Sequence, residues 1–110
     1  MNAASLNEAH GAFELRQDAG GRLSARGPLT FATARLARAA GLSTLERGSA
    51  MLELDCAGIT AADSAGLAVL IDWLGRAKQA GSRLCYRHLP QGLTSLARIS
   101  DLEELLERGV

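Results

Sequence analysis

The chain has no excess charge of either sign. Its 12 Lys and Arg are balanced by 12 Asp and Glu, so the formal net charge is zero. Proteins that hold nucleic acid neutralise phosphates with a basic stripe, and a balanced composition argues against that class. Long apolar runs are missing too. No segment approaches the ~20 residues a membrane-spanning helix requires. The start, MNAASLNEAHGAFEL, has no basic stretch followed by an apolar one, so it does not read as a secretory signal. The expectation is a cytoplasmic protein without membrane insertion.

Cysteine and histidine are equally sparse. Cys56 and Cys85 each sit in an apolar stretch and read as small buried hydrophobes of a reducing compartment. His10 and His88 have no ligand spacing relative to Cys56, so no metal site is expected. There is no phosphate-binding glycine loop and no G-x-S-x-G elbow, and Ser64 with a distant His88 does not make a triad. The carboxylates Asp101, Glu103, Glu104 and Glu107 read as the solvated face of a helix. Neither an enzyme nor a cofactor is implied, and the chain is expected to act by binding.

What is present is a moderate core. Of the 110 residues 47% are hydrophobic, mostly Ala and Leu, enough for one domain without staples. Residues 1–11 are small and polar and read as a loose tail, leaving residues 12–110 as the domain. AFELRQD (Ala12–Asp18) alternates Phe13 and Leu15 inward with Glu14 and Arg16 outward. AGG (Ala19–Gly21) is a turn, and RLSARG (Arg22–Gly27) resumes the alternation, which predicts a hairpin. In PLTFATARLARAAG, Thr30 is a helix cap and Gly41 a stop, with Phe31, Ala32, Leu36 and Ala39 on the buried side. LSTLERGS (Leu42–Ser49) connects to the best strand, AMLELDCAGI (Ala50–Ile59), where Met51, Leu52, Leu54 and Cys56 form a largely apolar run.

TAADSAGLAVLIDWLGRAK (Thr60–Lys78) follows. Leu67, Leu70, Ile71 and Leu74 fall at i, i+3, i+4 and i+7, the stripe of an amphipathic helix that Gly81 ends. SRLCYRHL (Ser82–Leu89) is a strand. Pro90 opens a helix with Leu93, Leu96 and Ala97 on its apolar face. Ser100 and Glu103 have capping-box spacing and open a last helix through Leu102, Leu105 and Leu106. The order is β-β-α-β-α-β-α. Strand–helix–strand units of this length imply parallel pairing, hence a small mixed α/β sheet of four to five strands with helices mainly on one face.

The loop AGITAADSAG lies at the C-terminal end of a central strand, where α/β folds display function. Asp63 or Ser64 can take the first free N–H groups of the helix. A phosphoryl group on Ser64 would also suit the helix dipole. Physics alone leaves an ordinary cap and a displayed serine both open.

The stretch LELDCAGITAADSAGLAVLIDWLGRAKQAGSRL resembles the core of the STAS family. That family's pattern is an apolar strand, a D-S/T-x-G-L turn and a helix ending near a glycine. Here the turn reads Asp63, Ser64, Ala65, Gly66, Leu67, and the matching element order extends from about Phe13 to Leu106. The resemblance implies a STAS fold and one of two roles. DSAGLAVL and the tail LPQGLTSLARISDLEELL are closer to the non-catalytic STAS subunit of the Mla phospholipid transport system of Gram-negative bacteria. That subunit docks on the cytoplasmic ABC-type ATPase and supports its assembly, and so lies peripheral to the inner membrane. The alternative is an anti-sigma factor antagonist that binds an anti-sigma kinase and is regulated by phosphorylation at the position of Ser64. Ser64 stands where the transport subunit more often has Thr; both carry a hydroxyl.

On the second helix, Ala65, Ala68, Val69, Asp72, Trp73 and Arg76 turn away from the leucine stripe. Val69 and Trp73 are expected to lie together, part-exposed, with Trp73 as an interface anchor. Ala65 and Ala68 form a flat strip for close approach, and Gly66 admits a neighbouring backbone or partner. The expected docking patch is Asp63, Ser64, Ala65, Gly66, Ala68, Val69 and Trp73.

Overall fold

A computed structural model describes residues 12–18, 22–45 and 51–108. The expected tail (1–11), the hairpin turn (19–21), part of the first connection (46–49) and the first residue of the expected central strand (50) lie outside the described residues. The elements are β1 (Glu14–Gln17), β2 (Leu23–Leu29), α1 (Ala34–Leu45), β3 (Met51–Ala62), α2 (Ser64–Gln79), β4 (Arg83–Arg87), α3 (Gln91–Ile99) and α4 (Glu103–Arg108). They build a mixed four-stranded sheet in the order β1-β2-β3-β4 with four helices. β1 pairs antiparallel with β2, and β2–β3 and β3–β4 are parallel.

Alternation along the strands places one face under the helices. Leu23 pairs with Leu54 and Leu54 with Tyr86, and all three are buried. The intervening residues Glu53, Asp55, Arg83 and Arg87 are exposed on the other, open face. An apolar side chain every second residue therefore suffices for a sheet covered once. Cys56 points into the core, but Cys85 belongs to the open face and is only half-buried, so just one cysteine is the buried hydrophobe expected. Tyr86 secures β4 to α2: its buried hydroxyl donates to the Leu70 carbonyl at 2.6 Å.

α2 ends as its sequence indicates. Gly81 takes φ +80, its N–H donates to the Lys78 carbonyl, and the Ser82 N–H donates to the Ala77 carbonyl. These reversed bonds close the helix through a residue without a Cβ.

α1 departs from expectation in both boundary and face. It begins at Ala34, not after Thr30, and runs through Gly41 to Leu45. Thr33 competes successfully for the start: its hydroxyl donates to the Pro28 carbonyl and accepts from the Thr30 N–H. The buried positions are Ala37, Gly41 and Leu45. Phe31, Ala32, Leu36 and Ala39 all face outward. The physical reason is Trp73. A Cβ on Gly41 would overlap its indole ring, so α1 lies on its smallest residues to clear the largest side chain of α2.

The other correction lies near the C-terminus. Ser100 closes α3 instead of opening α4: the Leu102 N–H donates to the Ala97 carbonyl, with Asp101 at φ 58. That closure places Leu102 immediately before α4, where its carbonyl accepts from the Leu106 N–H.

Candidate functional site

The serine turn is built by Asp63. This residue is the N-cap of α2, with extended backbone. Its Oδ1 accepts from the Gly66 N–H at 3.0 Å, as a cap should. Its Oδ2 accepts from the Phe31 N–H, also at 3.0 Å, although Phe31 lies 32 residues earlier. One carboxylate thus ties the start of α2 to the loop that leads into α1. The Phe31 and Gly66 N–H groups stabilise its charge and hold its pKa below the ordinary carboxylate value.

Ser64 occupies the first position of α2 and is exposed. The N–H groups of Gly66 and Leu67 in that first turn are already taken by the Asp63 carboxylate and main-chain carbonyl. Ala65 is half-buried and Ala68 exposed. Gly66 is buried, and a Cβ there would overlap the Leu29 carbonyl oxygen. The close approach this glycine permits is therefore used by the chain's own β2, which makes Gly66 a packing residue.

Besides Gly66, two more expected patch residues are not on the surface. Trp73 is 1% exposed and Val69 3%. Trp73 lies under α1 against Gly41, with its ring centroid 6.0 Å from that of Phe13. Helical periodicity marked Trp73 as facing away from the leucine stripe, but it lies within the buried face of α2, three residues on from Leu70 and in one core with Leu67 and Leu74. What covers that side is a second helix, not solvent. Trp73 is a core residue, and its indole N–H has no hydrogen-bond partner among the described residues.

Sequence reasoning missed the α1 side of the site. An open groove of about 800 Å³ runs beside the turn between α1 and α2, lined in part by Phe31, Arg35, Leu42, Ala68, Asp72 and Arg76. Thr33, directly before Ala34, was the signal that α1 starts late and turns Phe31 outward.

Other polar groups do not join the turn. His88 Nδ1 lies 3.1 Å from Asp55 Oδ1, both exposed. Asp55 is on the open face of the sheet, whereas α2 packs on the opposite face, so the pair does not assemble with Ser64. The Ala57 N–H and then His88 hold the Asp55 pKa low. Burial pushes the Cys56 thiol up to about 12, with the Asp55 charge adding to it, which leaves it unsuited to nucleophilic work. Among the described residues no group of three or more His, Cys, Asp or Glu could hold a metal ion. No helix among them is long and apolar enough to cross a membrane.

The sequence matches the family model described as Mlab, STAS domain, over residues 13–107. The chain belongs to the MlaB STAS-domain family. That match spans every element from β1 to the last helix and includes the Asp63–Leu67 turn. Among solved structures, the fold is similar to that of the anti-sigma factor antagonist SpoIIAA in its unphosphorylated form. The TM-score is 0.66 and the identity 16%, with 84% of each chain covered. At that identity the likeness concerns the fold. A search of curated proteins gives no match.

Proposed function

We propose that this MlaB-family domain is a non-catalytic subunit that docks on the ATPase of an ABC-type phospholipid transport complex through the serine turn. The observation that carries the reading is the family match over residues 13–107, which includes a turn whose Ser64 is exposed and whose helix is capped by Asp63. Its outer neighbours Ala65 and Ala68 are small, so a partner backbone can approach closely. Asp63 fixes the turn in advance, which reduces the ordering cost of association.

The test is a tagged pull-down from native lysate with wild type and Ser64→Asp side by side, read by mass spectrometry. Recovery of an ABC-type ATPase with its permease, lost with Ser64→Asp, is the expected result. Recovery of an anti-sigma kinase would instead make Ser64 a phosphorylation switch and replace this reading. Circular dichroism of Ser64→Asp should match wild type, because the new carboxylate sits exposed at a helix N-terminus.

A further inference from the structure

The aromatic side chains divide unevenly. Phe13, Trp73 and Tyr86 are buried, whereas Phe31 is 84% exposed. Phe31 is not simply left over at a chain end. Its backbone is held by the Asp63 carboxylate, so the ring is displayed from a fixed point beside Ser64.

Phe31 stands at one end of the groove between α1 and α2. The lining runs from Ala34 to Leu42 on α1 and from Ala65 to Arg76 on α2. At 1.5 Å per residue these stretches are about 12 and 16 Å long, two to three turns of helix. Besides Phe31, Leu42 and Val69 the apolar lining is alanine, at 34 and 39 on α1 and at 65 and 68 on α2, so over that part the backbone of an occupant can come close. The rim is basic: Arg35, Arg38 and Arg76 against Asp72 alone. Asp72 is shared by Arg38 at 3.2 Å and Arg76 at 3.6 Å, and Arg35 makes no ion pair among the described residues. A second copy presenting the same face would set arginine against arginine, which disfavours a two-fold dimer through this groove.

We propose that the groove receives an amphipathic helix of the ATPase partner, with Phe31 as the apolar anchor and Arg35 and Arg38 facing carboxylates on the helix flank. Groove-bound helices insert apolar residues at i, i+3, i+4 and i+7, and the groove length matches such a stripe. Aromatic and arginine side chains are the types that dominate such interfaces. The inference rests on the ATPase reading above, and it adds the surface and the chemistry of the segment that meets it.

The experiment uses the full chain and the ATPase recovered by the pull-down. A benzophenone amino acid is placed at Phe31 and, as a control, at Arg16 on the open sheet face, and the irradiated complex is mapped by mass spectrometry. Crosslinks from position 31 should fall on one acidic helical segment of the ATPase, with none from position 16. Phe31→Ala and Arg35→Glu should each weaken binding about tenfold or more while melting like wild type, since both side chains project into solvent. If both bind as wild type while Ser64→Asp abolishes binding, the groove proposal fails and the docking reading stands. If position 31 crosslinks to a second copy, the groove is a self-association site and the proposal is overturned. If wild type captures no ATPase, the docking reading itself falls, and the groove's assigned occupant with it.

Discussion

The fit of Gly41 over Trp73 makes a prediction in which the sign of a mutation depends on its neighbour. Gly41 lies inside α1, where glycine is about 1 kcal/mol less favourable than alanine. On helix propensity alone, Gly41→Ala should stabilise the domain by about that amount. A Cβ there, however, would overlap Nε1, Cε2 and Cδ1 of Trp73. The indole is 1% exposed and backed by Phe13, so it has little room to retreat. Overpacking of a filled core costs about 1–3 kcal/mol, and an overlap with a buried ring belongs in the upper part of that range. The net expectation is a loss of about 1–2 kcal/mol, a drop in midpoint of roughly 4–15 °C for a domain of this size. In a Trp73→Leu background the obstacle is gone, and the same Gly41→Ala change should stabilise by up to about 1 kcal/mol. Urea unfolding of the four proteins, followed by circular dichroism at 222 nm, measures the coupling, expected near 2–3 kcal/mol. If Gly41→Ala stabilises the wild-type protein, α1 does not rest on the indole, and the argument that Trp73 is core is refuted.

Trp73→Ala alone should destabilise by about 3–5 kcal/mol, a large share of a small domain's stability, so any loss of partner binding in that variant must be read against its unfolded fraction. Ellman's reagent at pH 8 should label Cys85 in the native protein and Cys56 only after denaturation. A Cys56 pKa of about 12 leaves about one thiolate in ten thousand at that pH, and burial denies access as well; rapid labelling of both thiols would contradict this. The Asp63 pKa is lowered in the fold, so its carboxylate adds stability above the unfolded value near ~3.9, and that stability is lost as pH falls through the folded value. Asp63→Asn keeps one acceptor for the Gly66 and Phe31 N–H groups, so it should cost about 0.5–1.5 kcal/mol between pH 5 and 8 and progressively less below about pH 4. A deficit that stays constant down to pH 2 would show that the charge is not involved. Tyr86→Phe should lower stability by about 0.5–1.5 kcal/mol through loss of the bond to the Leu70 carbonyl, measured by thermal melting.

Much of this protein can be read from local pattern. Alternation in β1, β2 and β4 and the run at the start of β3 identify the strands, because a period of two sets an inner face. But β3 continues to Ala62, past the expected Ile59, and an irregularity in its pairing with β2 between Asp55 and Gly58 moves the buried positions from Leu52, Leu54 and Cys56 to Ile59. The α2 stripe, the Gly81 stop and the Asp63–Leu67 turn follow from residues within a few positions of one another. So does the exposure of Ser64, since a residue at a helix entrance with its own aspartate cap has little to bury it.

Contacts between elements distant in sequence decided the rest. Whether Val69 and Trp73 meet solvent depends on what lies over them, and α1 is a separate segment. Its buried face is chosen by space where it crosses the indole, so Ala37 and Gly41 turn inward while the larger Leu36 turns out, and only at its end is a large residue, Leu45, buried. The link from Asp63 to Phe31 spans 32 residues, and no local spacing encodes it. Sequence alone determined where the strands lie, the turn and its family. Only tertiary structure decided which aromatic is core and which is displayed, because that outcome is a matter of volume between two helices and not of periodicity within one.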